Sequence, residues 1–224
     1  MQRLIAQAGR PSGVPGRLIG WMFAHRSSNR RRNRWAVSLL DVRPADRVLE
    51  VGFGPGVAIA ALAARVPRGR VYGIDHSEVM VRQAGRRNAA AVRAGRVELR
   101  CASVDQLPAF DEPLDVVLAV NSVGFWPEPA RQLRRLHGLL RPGGRIALVS
   151  QPRCPGATAE TTARAAAELA ALLAEAGFVG ARTETLALDP PVACVLAATP
   201  EHSTGGVSTD TPPSSRMDDV TGAT

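Results

Sequence analysis

Lysine is absent from the 224 residues, and all 28 basic side chains are arginine. That excludes a phosphate-loop lysine, a Schiff-base lysine and a lysine general base. Cysteine is scarce. Cys101, Cys154 and Cys194 lie far apart, odd in number and in no metal-ligand spacing, so they read as isolated thiols. The scattered His25, His76, His137 and His202 complete no metal constellation, and no metal is expected. Aromatic residues make up only 4%, and no separate nucleic-acid module is visible, which disfavours nucleic acid as a partner. No apolar run approaches the ~20 residues that span a bilayer, and the start of the chain lacks the uninterrupted apolar core of a signal peptide. The expectation is a cytoplasmic protein.

What is present is enough apolar material for one core. At 45% hydrophobic residues, a chain of this length is expected to form one main domain. The charge is placed unevenly. Residues 1–47 hold ten arginines against Asp41 and Asp46, a balance of +8 that equals the net charge of the whole chain. Residues 48–224 therefore sum to zero, and the basic excess belongs to the N-terminal segment.

Hydrophobic periodicity places the elements. Pro15 to about Arg26 and a second stretch from Ser27–Asn29 to Leu40 read as short amphipathic helices. Arg30, Arg31, Arg32 and Arg34 fall at the start of the second, where cations are unfavourable beside a helix N-terminus. Strands and helices then alternate. Strands are expected at Val48–Val51, Arg70–Ile74, Arg96–Cys101, Leu114–Val120 and Arg145–Ser150; helices at 57–63, Ser77–Arg93, Pro129–Leu140 and Thr158–Ala176. Val179–Leu188 and Val192–Ala198 are joined by Asp189-Pro190-Pro191, too short for a parallel crossover, so they must pair antiparallel. Three parts are expected: an N-terminal helical lid over 1–44, an α/β domain over 45–199 and a disordered tail over 200–224, rich in Ser, Thr, Pro and Gly.

The first strand runs into Glu50-Val51-Gly52-Phe53-Gly54-Pro55-Gly56 and then a helix. A strand, a glycine turn and a helix form a nucleotide-type site in many α/β folds, although the same turn also occurs without a ligand. Three more strand ends carry polar residues: Asp75-His76-Ser77 after the second, Ser103-Val104-Asp105 after the third, and Asn121-Ser122 after the fourth. Together with Arg141-Pro142-Gly143-Gly144 beyond the next helix, these motifs resemble those of the class I S-adenosylmethionine-dependent methyltransferases. The resemblance covers roughly 45–199 and is closest to small bacterial enzymes, including the quinone-methylating group. It implies a Rossmann-like seven-strand sheet, mostly parallel with an antiparallel last strand, and helices on both faces.

It also implies S-adenosyl-L-methionine as cofactor and a role for each motif residue. Gly52, Phe53, Gly54 and Gly56 would let the backbone approach the methionine part, with Glu50 fixing the loop and the ammonium group. Asp75 would accept hydrogen bonds from the ribose hydroxyls. Asp105 would take the adenine amino group, after Ser103, with Val104 and Met80 against the ring faces. The backbone at Asn121 would meet the amino group, and His76 would stack near the adenosine or point to water.

A nicotinamide-dependent oxidoreductase shares such a sheet, but its G-x-G-x-x-G spacing would put glycine at 57, where this chain has Val57. A protein of methyltransferase fold that only binds remains a further alternative. The reaction implied is an in-line displacement at the methyl carbon, in which orientation supplies up to ~7–11 kcal/mol and little is left to a side-chain base. No catalytic residue is nominated. Asn121-Ser122-Val123-Gly124 departs from the Asn-Pro-Pro-Tyr pattern of base or amide methylation. The partner implied is a small-molecule acceptor. An arginine-rich apolar lid suits an anionic or lipid-like one, and leaves room for peripheral contact with an acidic membrane surface. Oligomeric state is not legible.

Overall fold

Strands buried on both faces read as near-continuous apolar runs, and the central strands of this sheet form there. A computed structural model describes residues 27–201. Its strands are β1 (Arg47–Val51), β2 (Arg70–Asp75), β3 (Val97–Cys101), β4 (Leu114–Val120), β5 (Leu140–Ser150), β6 (Val179–Leu186) and β7 (Val192–Ala198). The helices are α1 (Ser27–Leu39), α2 (Val57–Arg65), α3 (Glu78–Arg87), α4 (Ala89–Arg93), α5 (Pro129–Leu139) and α6 (Ala159–Glu175). The strands make one sheet in the order β3-β2-β1-β4-β5-β7-β6. From β3 to β5 all neighbours are parallel, and β7 pairs antiparallel with both β5 and β6. The mostly parallel sheet closed by a reversed strand is the architecture expected from the sequence.

Side chains alternate across the strands and so build two cores. Val48 of β1 faces Ala36, Val37 and Leu40 from α1 and its end, together with Ile59 and Leu62 of α2 and Ala84 of α3. Leu49 and Val51 face the other way, onto Leu133 and Leu136 of α5 and Leu169 and Leu173 of α6. The same alternation divides β7, with Val192, Cys194 and Leu196 on the first face and Ala193, Val195 and Ala197 on the second. Each fully buried leucine contributes roughly 1.5–3 kcal/mol over leaving it exposed.

Two boundaries differ from expectation. The helix expected from Ser77 to Arg93 breaks at Asn88. There the backbone leaves helical geometry at φ −107°, and the Asn88 side chain donates to the Ala84 carbonyl at 2.9 Å and to the Gly56 carbonyl at 3.2 Å. The strand expected from Arg145 begins at Leu140. Leu140 pairs with Leu114, the register shifts, and pairing resumes at Arg145 opposite Val116. Gly143, at φ 67°, takes up the irregularity. The expected helix at 15–26 and almost all of the expected tail lie outside the described residues.

The C-terminal end of α1 is pinned to the sheet by charge. Arg145 of β5 donates to the Leu40 carbonyl at 3.0 Å and to the Asp41 carbonyl, and its Nη2 lies 2.5 Å from the Asp46 carboxylate. Asp46 is buried and also accepts the Arg43 N–H at 2.9 Å. Removing one member of such a pair leaves a poorly solvated charge. Asp46→Ala is therefore expected to lower stability by about 3 kcal/mol in urea denaturation, well beyond the effect of Glu78→Ala, whose pair with Arg82 is exposed.

Candidate active site

The chain order reverses direction across the sheet between β1 and β4: β2 and β3 lie to one side, β5 to the other. In open α/β sheets the crevice at such a switch point, outside the strand carboxyl ends, is where ligands bind. Here it holds a cavity of about 460 Å³, within the ~300–1,000 Å³ range of small-molecule sites.

The glycine turn forms one wall. Gly52, Gly54 and Gly56 all have positive φ, at 76°, 54° and 75°. They are not equivalent. A β-carbon at Gly52 would stand 2.5 Å from the Ser122 β-carbon, because Ser122 is drawn in by donating its hydroxyl to the Val51 carbonyl at 2.7 Å. Gly54 has open space around it and lines the cavity. Gly56 lies off the cavity wall, where a β-carbon would meet Ala84 of α3 at 2.7 Å.

Two acids stand beside the turn. Asp75 is 6% exposed, and its two carboxylate oxygens accept the N–H groups of Gly54 at 2.8 Å and Ser77 at 2.9 Å. Each oxygen keeps a lone pair for a ligand. Burial pushes its pKa up, while the two N–H donors and His76 hold it back. Glu50 is 1% exposed. It accepts the Ile59 N–H in the first turn of α2, and its Oε2 has no partner. Burial raises its pKa well above the usual 4.5, and the neighbouring Asp75 charge raises it further. Among the described residues neither acid has an arginine partner within ion-pair distance. An unmatched buried acid pair is a site for a cation or for hydroxyl donors.

The structure brings most of the sequence-nominated residues to this cavity. Glu50, Gly52, Phe53, Gly54, Asp75, His76, Met80, Ser103, Val104 and Asn121 all line it. Met80 and Val104 are buried apolar surfaces, and His76 is half-buried. Asn121 sits at φ 53°, and its N–H goes to the Val149 carbonyl at 2.8 Å, so its own carbonyl is the backbone acceptor there. Asp105 is not on the wall: it is exposed and takes the Ser103 hydroxyl.

Sequence reasoning expected an arginine-rich lid but singled out none of its members. Asn29, Arg32 and Asn33 of α1 are buried and line the cavity, and Arg153 joins them from beyond β5. Arg32 donates to Gln151 Oε1 at 2.6 Å and to Asn29 Oδ1, and Asn33 donates to the Asn29 carbonyl at 2.7 Å. A signal was present. The apolar stripe Leu40, Val37, Ala36, followed back at helical spacing, reaches Asn33, Arg32 and Asn29.

A methyltransferase-domain family model matches residues 48–144, the stretch that contains the glycine turn and both acids. An uncharacterized methyltransferase, YdaC of Bacillus subtilis, is 31% identical over 161 residues, spanning 72% of this chain and 86% of that protein. This chain belongs to the class I S-adenosyl-L-methionine-dependent methyltransferases. The methyltransferase is also 30% identical over 128 residues to the ubiquinone/menaquinone biosynthesis C-methyltransferase UbiE of Geotalea daltonii, covering 56% of this chain and 54% of that one. Its fold matches the N-methyltransferase NodS of Bradyrhizobium japonicum, solved with S-adenosylhomocysteine, at a TM-score of 0.65 and 16% identity, covering 87% and 96% of the two chains. Family membership sets aside a nicotinamide oxidoreductase. Among the described residues no helix is long and apolar enough to cross a membrane, and no metal-holding cluster of His, Cys, Asp or Glu is present.

Substitution separates the glycines of the methyltransferase's turn. Gly54→Ala meets only the positive-φ cost of roughly 1–2 kcal/mol. Gly52→Ala adds a clash and is expected to cost at least about 2 kcal/mol more. Thermal denaturation of the two variants reads the gap, and equal losses would contradict the packing described.

Proposed function

We propose that this methyltransferase moves a methyl group from S-adenosyl-L-methionine to a small-molecule acceptor by in-line displacement, with the cofactor held across β1 to β3 and the acceptor entering over β4 and β5. The observation that carries this reading is the unmatched Oε2 of Glu50 beside Asp75, next to a bare glycine cradle. The cofactor supplies an activated methyl on a sulfonium centre.

The residues present fit that group. Glu50 holds the ammonium through its free oxygen, and the Asn121 carbonyl accepts from the same group. Asp75 takes the ribose hydroxyls on the lone pairs its backbone donors leave. Met80 and Val104 give apolar surface for the adenine faces, with Ser103 and His76 at the edge. Gly52, Phe53 and Gly54 line the methionine part, with Gly56 packing the turn against α3. Asp105, from outside the wall, serves the adenine end by holding Ser103 in place.

The chain's remaining work is to orient the acceptor and exclude water. Residues 1–44 act as a lid, of which α1 supplies Asn29, Arg32 and Asn33 to the cavity wall. Phe125 is 61% exposed and Trp126 is buried; both line the cavity after β4 and offer an apolar seat for the acceptor body. Alignment supplies most of the rate in such a transfer, so no general base is assigned.

Asp75→Ala removes two hydroxyl acceptors and is expected to weaken cofactor binding about 10- to 100-fold by calorimetry. Methyl-labelled cofactor incubated with the protein and a cell lysate should put label into the small-molecule fraction. Cofactor binding with no label transferred would leave a binding protein instead of an enzyme.

A further inference from the structure

A guanidinium is costly to bury unless an anion or a full set of acceptors meets it. Arg32 is 4% exposed. Its Nη atoms donate to two neutral amide oxygens, those of Gln151 and Asn29, and Nε has no partner. No carboxylate among the described residues pairs with it, and residues 1–26 contain neither Asp nor Glu. Arg153 lines the same cavity and adds positive charge; burial, and then the Arg153 charge, push the Arg32 pKa down to about 9.

The location separates this charge from the cofactor's acids. Gln151, which orients Arg32, follows β5, whereas Glu50 and Asp75 belong to β1 and β2. With β4 between β1 and β5, the two ends are about 10–14 Å apart at ~4.8 Å per strand. The cavity is therefore negative at the β1–β2 end and positive at the β5 end, and Phe125 and Trp126, which follow β4, line it too. The cofactor's carboxylate sits one carbon from the ammonium assigned to Glu50, where the N-terminus of α2 favours an anion. Arg32 is left for another anion.

We propose that Arg32, with Arg153 beside it, binds a carboxylate or phosphate of the methyl acceptor, which makes the acceptor an anionic small molecule with an apolar body. This rests on the methyltransferase reading of the cavity given above. Asn29 and Asn33 are positioning residues: their amides hold the guanidinium on the wall.

The test is calorimetric titration of benzoate, benzamide and inorganic phosphate into protein saturated with S-adenosylhomocysteine. Benzoate is expected to bind the wild type and benzamide at least about tenfold more weakly. Arg32→Met should lose benzoate at least about tenfold while its affinity for S-adenosylhomocysteine stays within about twofold. Arg153 is exposed, so Arg153→Met spares the fold. It should weaken benzoate about threefold, and if Arg32→Met does not fold, unchanged benzoate affinity in Arg153→Met overturns the proposal. So does a tenfold loss of S-adenosylhomocysteine in Arg32→Met with unchanged binding of 5′-methylthioadenosine, which lacks the amino-acid part: the anion would then be the cofactor's. Uptake of neither benzoate nor phosphate by the loaded wild type also overturns it, and leaves the methyltransferase reading standing. No binding of S-adenosylhomocysteine to the wild type contradicts both.

Discussion

Two buried carboxylates with no cation of their own govern this molecule. Glu50 and Asp75 sit at the switch point of the sheet, 1% and 6% exposed. Water is withdrawn from both, and backbone N–H groups, with His76 beside Asp75, compensate. Asp75 has two such donors and Glu50 has one, so the proton that burial and mutual repulsion favour belongs on Glu50. The sign follows. A carboxyl whose folded pKa is raised binds more protons when folded, so its contribution to stability falls as pH rises from about 4.5 towards the folded value. A cationic ligand reverses that by making the ionised form the favoured one. The site is thus destabilised in a way that its own ligand corrects.

The rest of the fold holds those acids in place. Parallel pairing of β1 with β2 and β4 fixes the strand ends side by side, and the two apolar faces fix the sheet between helix layers. The turn after β1 reaches back because Gly52 allows both a positive φ and the approach of Ser122. Its N–H goes to the Ile74 carbonyl at 2.8 Å, tying the β1 turn to the end of β2 where Asp75 stands. On the far side, Arg145 clamps the end of α1 to the sheet, so that the start of that helix reaches the cavity. Negative charge is concentrated over β1 and β2 and positive charge over β5, and a reaction between a cationic donor and an anionic acceptor would use both.

How much of this was legible depended on how local each signal was. The acids at strand ends and the glycines after β1 are written in runs of a few residues, and strand periodicity places them at the crevice. That is enough to place Glu50 and Asp75. Asp105 has the same local signal, but the short helical turn at Val104–Gln106 carries its side chain outward while Val104 turns in. Helix 77–93 looked continuous because Asn88 is an acceptable helix residue. At the break the Asn88 side chain reaches the Gly56 carbonyl, 32 positions away in sequence, a contact that no local pattern shows. Arg32 is the strongest case. In the run Arg30, Arg31, Arg32, Arg34 nothing marks it out by composition, and only contact with Gln151, 119 positions later, shows that it alone of the four is buried.

The central claim is that burial beside Asp75 favours the protonated form of Glu50 and that a bound cation favours the ionised form. It is tested by titrating S-adenosylhomocysteine into the protein at several pH values above about 4.5, each in buffers of different ionisation enthalpy. A cation that ionises Glu50 should release up to about one proton per site, seen as a binding enthalpy that varies with the buffer, and Glu50→Gln should abolish the dependence. A binding enthalpy of the wild type that is the same in every buffer would contradict the account.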